Sequence, residues 1–336
     1  MSRLILLLAF LSVIPSIHAA VKTPSYQILP WGVVGLRIDY DSTDKTGAYD
    51  SNRNEISYLE RKAVQFHLSS DTVTGDLSEQ ETAKTGAIIF GLPWELTLEV
   101  SGTHKEKEIK SEIDISQDSG LSEDDEELIL NEKFSQYYQS GKNSGLAYKT
   151  ASLLWRFVFN RDVSAIFRVG YRVGDSGINF YDPTEPSLYS GVNYILYDLN
   201  LKFYSVNSSY ESTLNMGFEK PYEAYETKSF TGEDVKYSGN FTSWLKFDHH
   251  WKFDSYSLGF YLMAEEKTPS LLGNYQFNDG YRGLRLGSDF SLNNYFDVIE
   301  DYTSNYYNIV LSYSAFVAGF QTDKENITSV SLEYVF

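Results

Sequence analysis

The chain has 336 residues, no cysteine, 27 Tyr and 21 Phe, and a formal charge of −18 at pH 7. The lack of cysteine excludes disulfide staples and a lipoprotein-type anchor. So acidic a balance, with no basic stripe, excludes nucleic acid as a partner.

Arg3, the apolar run from Leu4 to Ile14, and Pro15-Ser16-Ile17-His18-Ala19 read as a secretory signal peptide, residues 1–19, cut after Ala19. The run is shorter than the roughly 20 apolar residues a spanning helix needs. Every later apolar stretch is broken by Gly, Ser or charge, so insertion in a bilayer is expected through strands closed into a barrel. An excess of aromatics suits the girdles such barrels carry at both membrane interfaces. Residues 20–30 form a short segment with two prolines, too small for a plug domain or a passenger. Residues 31–336 read as one β-barrel domain.

The first strand is Trp31 to Tyr40, with Val34, Leu36, Ile38 and Tyr40 opposite Arg37 and Asp39. A second spans 56–68, with Val64, Phe66 and Leu68 on its apolar face. Across 86–103, Ile88, Phe90, Leu92, Trp94, Leu96, Leu98 and Val100 share one parity. A two-residue hairpin at Leu92-Pro93 would flip that parity, so the stretch reads as one long strand containing Pro93; a three-residue turn would also preserve the register. Strands then follow over 153–159 and 165–173 around the tight turn Asn160-Arg161-Asp162, near 188–198 and 201–218, and at 241–247 and 256–262 around a turn holding His249 and His250. The last three lie near 281–296, 305–321 and 327–336. The expectation is an all-β, antiparallel transmembrane barrel of twelve strands, within a range of 12–14.

Long polar segments at 41–55, 104–145, 174–187, 219–235 and 264–280 then fall on the outer side. Residues 69–85 are the exception, long for a turn on the inner side. The largest loop, 104–145, is acidic. Ser122 followed by Glu123, Asp124 and Asp125 is a helix-start signature, which would pack Leu128, Phe134, Tyr137 and Tyr138 on the barrel mouth; a solvated acidic loop is the other reading.

The final strand alternates Val330, Leu332, Tyr334 and Phe336 with Ser329, Ser331 and Glu333. It resembles the closing strand of Gram-negative outer-membrane β-barrels, in which a terminal Phe forms part of the signal read by the barrel-assembly machinery. With twelve strands, the chain resembles a solitary autotransporter-type barrel without a passenger. The resemblance implies the outer membrane as its location, lipid, lipopolysaccharide and the assembly machinery as partners, and no catalytic residue. Oligomeric state stays open.

Parity places Arg37, Asp39, Glu95, Glu99, Arg156, Arg168, Arg172, Lys246, Arg285 and Glu333 on the lumen face. Two readings follow. Either a salt-bridged network fills a narrow barrel, or Arg156, Arg168 and Arg172 face Glu95 and Glu99 across a pore constriction, with Arg37 and Arg285 as further lining residues. The function expected is a narrow channel for small polar solutes or ions; the alternative is a non-conducting surface barrel whose loops bind lipopolysaccharide, divalent cations or another protein. No cofactor or metal is expected: the acidic stretches 39–47 and 114–125 do not have EF-hand spacing. His67, His104, His249 and His250 form no recognisable catalytic constellation, so an enzyme is not expected.

Overall fold

A computed structural model describes residues 28–66, 68, 73–115, 126–160, 162–175, 177–204, 210–253, 256–278, 280–293 and 306–336. The expected signal peptide and cut after Ala19, His67 and the acidic run 116–125 lie outside the described residues.

Twelve long antiparallel strands close a barrel. In chain order they are β1 (Val34–Tyr49), β3 (Val73–Leu92), β4 (Leu96–Ile115), β5 (Gly141–Asn160), β6 (Val163–Gly174), β7 (Asn193–Tyr204), β8 (Tyr210–Glu223), β11 (Thr242–Lys252), β12 (Tyr256–Lys267), β15 (Tyr281–Asn293), β16 (Tyr306–Phe320) and β17 (Asp323–Val335). Each pairs with its neighbour in this order, and β17 pairs with β1, so no edge is left. β1 and β17 run in register from Gly35↔Val335 to Lys45↔Glu325, and Phe336 donates its N–H to the Val34 carbonyl.

The outer ends carry further elements. Between β1 and β3 lie β2 (Glu55–Ser57) and the helix α1 (Tyr58–Gln65); α2 (Glu126–Tyr137) lies between β4 and β5. The segments β9 (Tyr225–Lys228), β10 (Asp234–Tyr237), β13 (Ser270–Leu272) and β14 (Tyr275–Asn278) pair into a small separate sheet.

Three expectations require correction. The stretch 86–103 is a hairpin, not one strand: Leu92 faces Leu96 across Pro93-Trp94-Glu95, and a three-residue turn leaves parity unbroken. Trp94 and Glu95 both adopt positive φ (62° and 60°), an uncommon conformation for bulky residues; the Arg156 N–H donating to the Glu95 carbonyl (3.1 Å) helps to hold it. Residues 56–68 are not a barrel strand. Ser57 caps a helix in a capping box with Glu60, and the strand that follows β1 in the barrel is 73–92. These two errors offset each other, which is why the count of twelve survives. Third, His249 and His250 lie inside β11, whose alternation continues to Lys252. The next reversal is closed by Phe253 N–H donating to the Tyr256 carbonyl.

Strands also run further outward than the hydropathy pattern suggested, because polar side chains pair with water as readily on a sheet as on a loop. Residues 41–49, 104–115, 141–152, 219–223 and 264–267 are strand. Likewise β7 runs through 198–201 without a break. The loop between β4 and β5 shrinks accordingly, and α2 forms within it, with Phe134 fully buried and Tyr138 nearly so.

The outer wall explains the excess of apolar surface. Leu36, Ile88, Leu153, Phe167, Leu258, Phe260, Leu311 and Leu332 all point outward and are exposed, as a lipid-facing band requires. Above that band the same face turns polar: on β4, Leu96, Leu98 and Val100 give way to His104, Glu106, Glu108 and Lys110.

Candidate functional site: a charged lumen capped at both ends

Residues of the opposite parity point inward. On β1 these are Gly35, Arg37, Asp39, Asp41, Thr43 and Lys45, and their registered partners on β3 and β17 include Ala87, Thr85, Glu79, Glu333 and Ser331. Arg37 is buried and makes a fork with Glu99 (Nη1–Oε2 3.0 Å, Nη2–Oε1 2.8 Å), while its Nε donates to Asp39 at 3.2 Å. Ser331 Oγ donates to the other Asp39 oxygen at 2.6 Å. Only β3 lies between β1 and β4 in the sheet, and its small inward Ala87, directly opposite Arg37, leaves room for the Arg37 side chain to reach Glu99.

The sequence-expected constriction, in which Arg156, Arg168 and Arg172 confront Glu95 and Glu99, is divided by the structure into separate pairs. Arg156 binds Glu95 (2.6 Å) at the turn end, where both are partly solvent-exposed. Arg168 meets Asp198 on β7 at 3.5 Å, and Arg172 forms a fork with Glu219 on β8 at 2.9 and 3.0 Å. Arg285 reaches Glu325 at 2.9 Å and lies 3.8 Å from Glu265; Lys246 pairs with Asp248 at 2.5 Å. The reason is geometric. Lumen-facing residues recur every second position on every strand, so each cation finds an acid on its own strand or within two strands before it can reach across the lumen.

The two walls differ in bulk. On the β6–β16 side, Arg168, Trp244, Met263, Arg285 and Phe316 are large and buried. Trp244 lies against the backbone of Gly217 on the neighbouring strand, donates from Nε1 to Asn215 Oδ1 at 2.6 Å, and leaves no room there for a Cβ. Lys246 Nζ sits 4.1 Å above the Tyr261 ring and the Arg285 guanidinium 4.0 Å from that of Phe316. On the β16–β17–β1–β3–β4 side, small inward residues (Ser312, Ser329, Thr43, Ala83, Thr85 and Ser101) lie among the buried charges Arg37, Asp39, Glu99 and Glu333 and are only half-buried. This wall borders water-accessible space within the barrel.

Above it, outside the apolar band, a second group of charges was missed by the sequence reading because it sits in stretches taken for loops. Glu79 accepts from Lys45 (2.6 Å), Lys107 (2.9 Å) and the Tyr58 hydroxyl (3.1 Å). Burial acts to raise the Glu79 pKa, but Lys107, Lys45 and Lys62 together hold it well below the usual carboxylate range. Burial and the Glu79 charge push the Tyr58 hydroxyl well above its ordinary value. The alternation that could have shown Glu79 and Lys45 as inward-facing was present; what hid it was their polarity.

The outer mouth is covered by aromatic rings contributed by all five long outer connections. Phe66, just after α1, lies 5.3 Å from Phe134, 5.4 Å from Phe230 and 5.9 Å from Phe277; Phe180 lies 4.7 Å from Phe277 and 5.6 Å from Tyr237. Val73, Leu77 and Ile109 on one wall and Tyr194 and Leu196 on another complete the cluster. Edge-to-face and tilted pairs of this kind add about 0.5–1.5 kcal/mol each beyond area burial.

α1 is tied to the rim by charge. Lys62 bonds both oxygens of Asp323 at the start of β17 (2.8 and 3.0 Å), and Arg61 Nη2 donates to the carbonyls of Gln321 (2.6 Å) and Gly280 (3.3 Å). Burial acts to raise the Asp323 pKa, but Lys62 and Lys45 hold it below the ordinary value; burial outweighs Asp323 in lowering that of Lys62. Both groups have folded pKa values below their ordinary ones, so both contribute stability that is present at higher pH and lost as pH falls through their folded values. Resistance of the outer loops to added protease is therefore expected to hold at neutral pH and to fall as acid protonates Asp323; a profile flat into strong acid would count against this pairing.

The inner end is narrowed by the chain before β1. Leu29 is buried against Ile89 and Val335, and its N–H donates to Thr97 Oγ1 at 2.9 Å; Ile28 packs on Leu154 and Ile166. Gly91 allows this approach, since a Cβ there would collide with the Pro30 carbonyl. Trp31 and Trp94 remain exposed on the rim. Among the described residues, no three His, Asp or Glu side chains gather as a metal site.

A closed twelve-strand antiparallel barrel with an apolar outer band and a charged interior is an outer-membrane β-barrel architecture. No family model matches the sequence, and no curated protein is detectably similar to it. Among solved structures the chain is similar to the COG4313 outer membrane channel from Pseudomonas putida F1, at 13% identity over 94% of this chain and 98% of that one, with a TM-score of 0.61. It also resembles the transport unit of the autotransporter AIDA-I from Escherichia coli (10% identity, 94% and 92% covered, TM-score 0.44) and the translocator domain of the autotransporter NalP from Neisseria meningitidis (10% identity, 89% and 88% covered, TM-score 0.40). At these identities the likeness is one of fold.

Proposed function

We propose that the protein is a narrow outer-membrane channel for small polar solutes, captured here with its mouth closed. The observation that carries this reading is that Ser312, Ser329, Thr43, Thr85 and Ser101, all inward-facing, stay half-buried although large and charged residues fill other lumen positions. A barrel built only to be filled would bury its small inward residues as well. The interior ion pairs neutralise one another locally, so the acidity of the whole chain does not set ion preference. Arg37, Glu99, Arg168, Arg172 and Arg285 act in this reading as rigid lining that fixes pore width. The similarity in fold to the COG4313 outer membrane channel from Pseudomonas putida F1 is consistent with the proposal.

The convergence of five outer loops on one aromatic cluster favours a second reading, a non-conducting barrel whose loops present a surface to lipopolysaccharide or another protein. Planar-bilayer recording on refolded, heat-modifiable protein separates the two. The channel reading expects discrete current steps, rare in the native protein, whose size changes when Thr85 or Ser101 is replaced by Trp. Silence from the native protein and from variants with a loosened cap would favour the surface barrel.

A further inference from the structure

We infer that α1 is a movable stopper of the outer mouth, latched by Lys62 to Asp323 and by Arg61 to the carbonyls of Gln321 and Gly280. The inference rests on the channel reading for its purpose, but its geometry stands independently. α1 is a preformed unit: the reciprocal Ser57–Glu60 capping box closes its start, and β2 pairs to the end of β1 through Gly47↔Ser57, Ala48↔Ile56 and Tyr49↔Glu55. It is joined to β1 by the turn Asp50–Asn54, where the Asp50 carboxylate accepts from the N–H groups of Asn52 and Asn54 at 2.7 Å each and Arg53 has φ 67°. That turn is exposed and packs on no cluster.

The stopper's attachments are of two kinds. Tyr58, Leu59, Ala63 and Phe66 are buried in the apolar cluster, while polar contacts fix the helix to the barrel rim: Tyr58 to Glu79 on β3, Lys62 to Asp323 on β17, and Arg61 to the β16–β17 turn and the start of β15. These anchors span opposite neighbours of β1, so α1 bridges the mouth above the half-buried wall of Thr43 and Thr85. Other charges facing the latch are Lys45, Glu79 and Glu325, which pair mainly with one another. Loss of the Lys62–Asp323 pair leaves a partly buried charge without its partner, which weakens the closed state relative to an open one.

The absence of cysteine makes the test direct. Thr85→Cys places a single thiol on the lumen wall beneath α1, and a membrane-impermeant thiol reagent is applied to the outer face of intact cells. Labelling is expected to be slow with the latch intact and about tenfold faster or more when Lys62→Ala or Asp323→Ala is added, a change of roughly 1.4 kcal/mol in the closed state. The charge exchange Lys62→Asp with Asp323→Lys should restore slow labelling. Tyr58→Phe, which deletes one hydrogen bond and keeps the ring, should give a smaller increase and serves if either alanine variant fails to assemble. Rates unchanged in all these backgrounds, with heat-modifiable barrels, overturn the stopper. Bilayer recording on the same proteins keeps the two ideas apart. Faster labelling without current leaves the stopper standing and removes the channel; steady native current with labelling indifferent to Lys62 does the reverse.

Discussion

Arg37→Ala is expected to destabilise the folded barrel by about 3–5 kcal/mol, the cost of removing one partner from a buried, hydrogen-bonded ion pair. Arg37 forks onto Glu99, bonds Asp39, and faces Glu333 directly across the β1–β17 pair. Its removal leaves carboxylates from three strands grouped in a buried site at the seam where the sheet closes. Urea unfolding in detergent or lipid vesicles, followed by gel mobility without heating, gives the value. Glu99→Gln in the Arg37→Ala background should recover part of the loss, because the charge left behind, rather than the lost bond alone, is the larger effect. A loss below about 1 kcal/mol, as for an exposed pair, would mean that water reaches this end of the lumen freely.

Phe66→Ala should cost about 3–5 kcal/mol, but in the outer cap rather than in the barrel. Phe66 is 2% exposed and touches rings from three other outer connections. Its loss opens a cavity that α2 and the small sheet of β9, β10, β13 and β14 cannot collapse into, because each is tied to a different strand end. The expected outcome is rapid proteolysis in the outer loops and faster amide exchange in α1 and α2, while heat-modifiability of the barrel persists. Loss of both together would show that cap and barrel fold as one cooperative unit.

The class of fold was legible because strand periodicity and the bilayer impose the same rule. Side chains alternate with a period of two, and lipid demands that one parity be apolar. Ile88, Phe167 and Leu332 announced the outer wall, and Arg37, Glu99, Arg168 and Arg285, of the opposite parity on their own strands, are buried. Where lipid no longer touches the wall the rule lapses. Strands β1, β3, β4 and β5 therefore extend through polar stretches that look like loops, and Glu79, Lys45 and Asp323 went unseen as lumen residues.

Parity also cannot tell a three-residue hairpin from a continuous strand, as Pro93-Trp94-Glu95 demonstrates, nor can it tell an apolar residue that faces lipid from one that faces a cap, as Phe66 demonstrates. By itself, then, the sequence determined a closed barrel, its apolar outside and its charged inside. Which charges meet, and that the mouth is shut by rings from five separate connections, were decided by the register and closure of the sheet. Those contacts join residues up to about the whole chain apart, and local alternation carries no information on which distant neighbour a side chain will find.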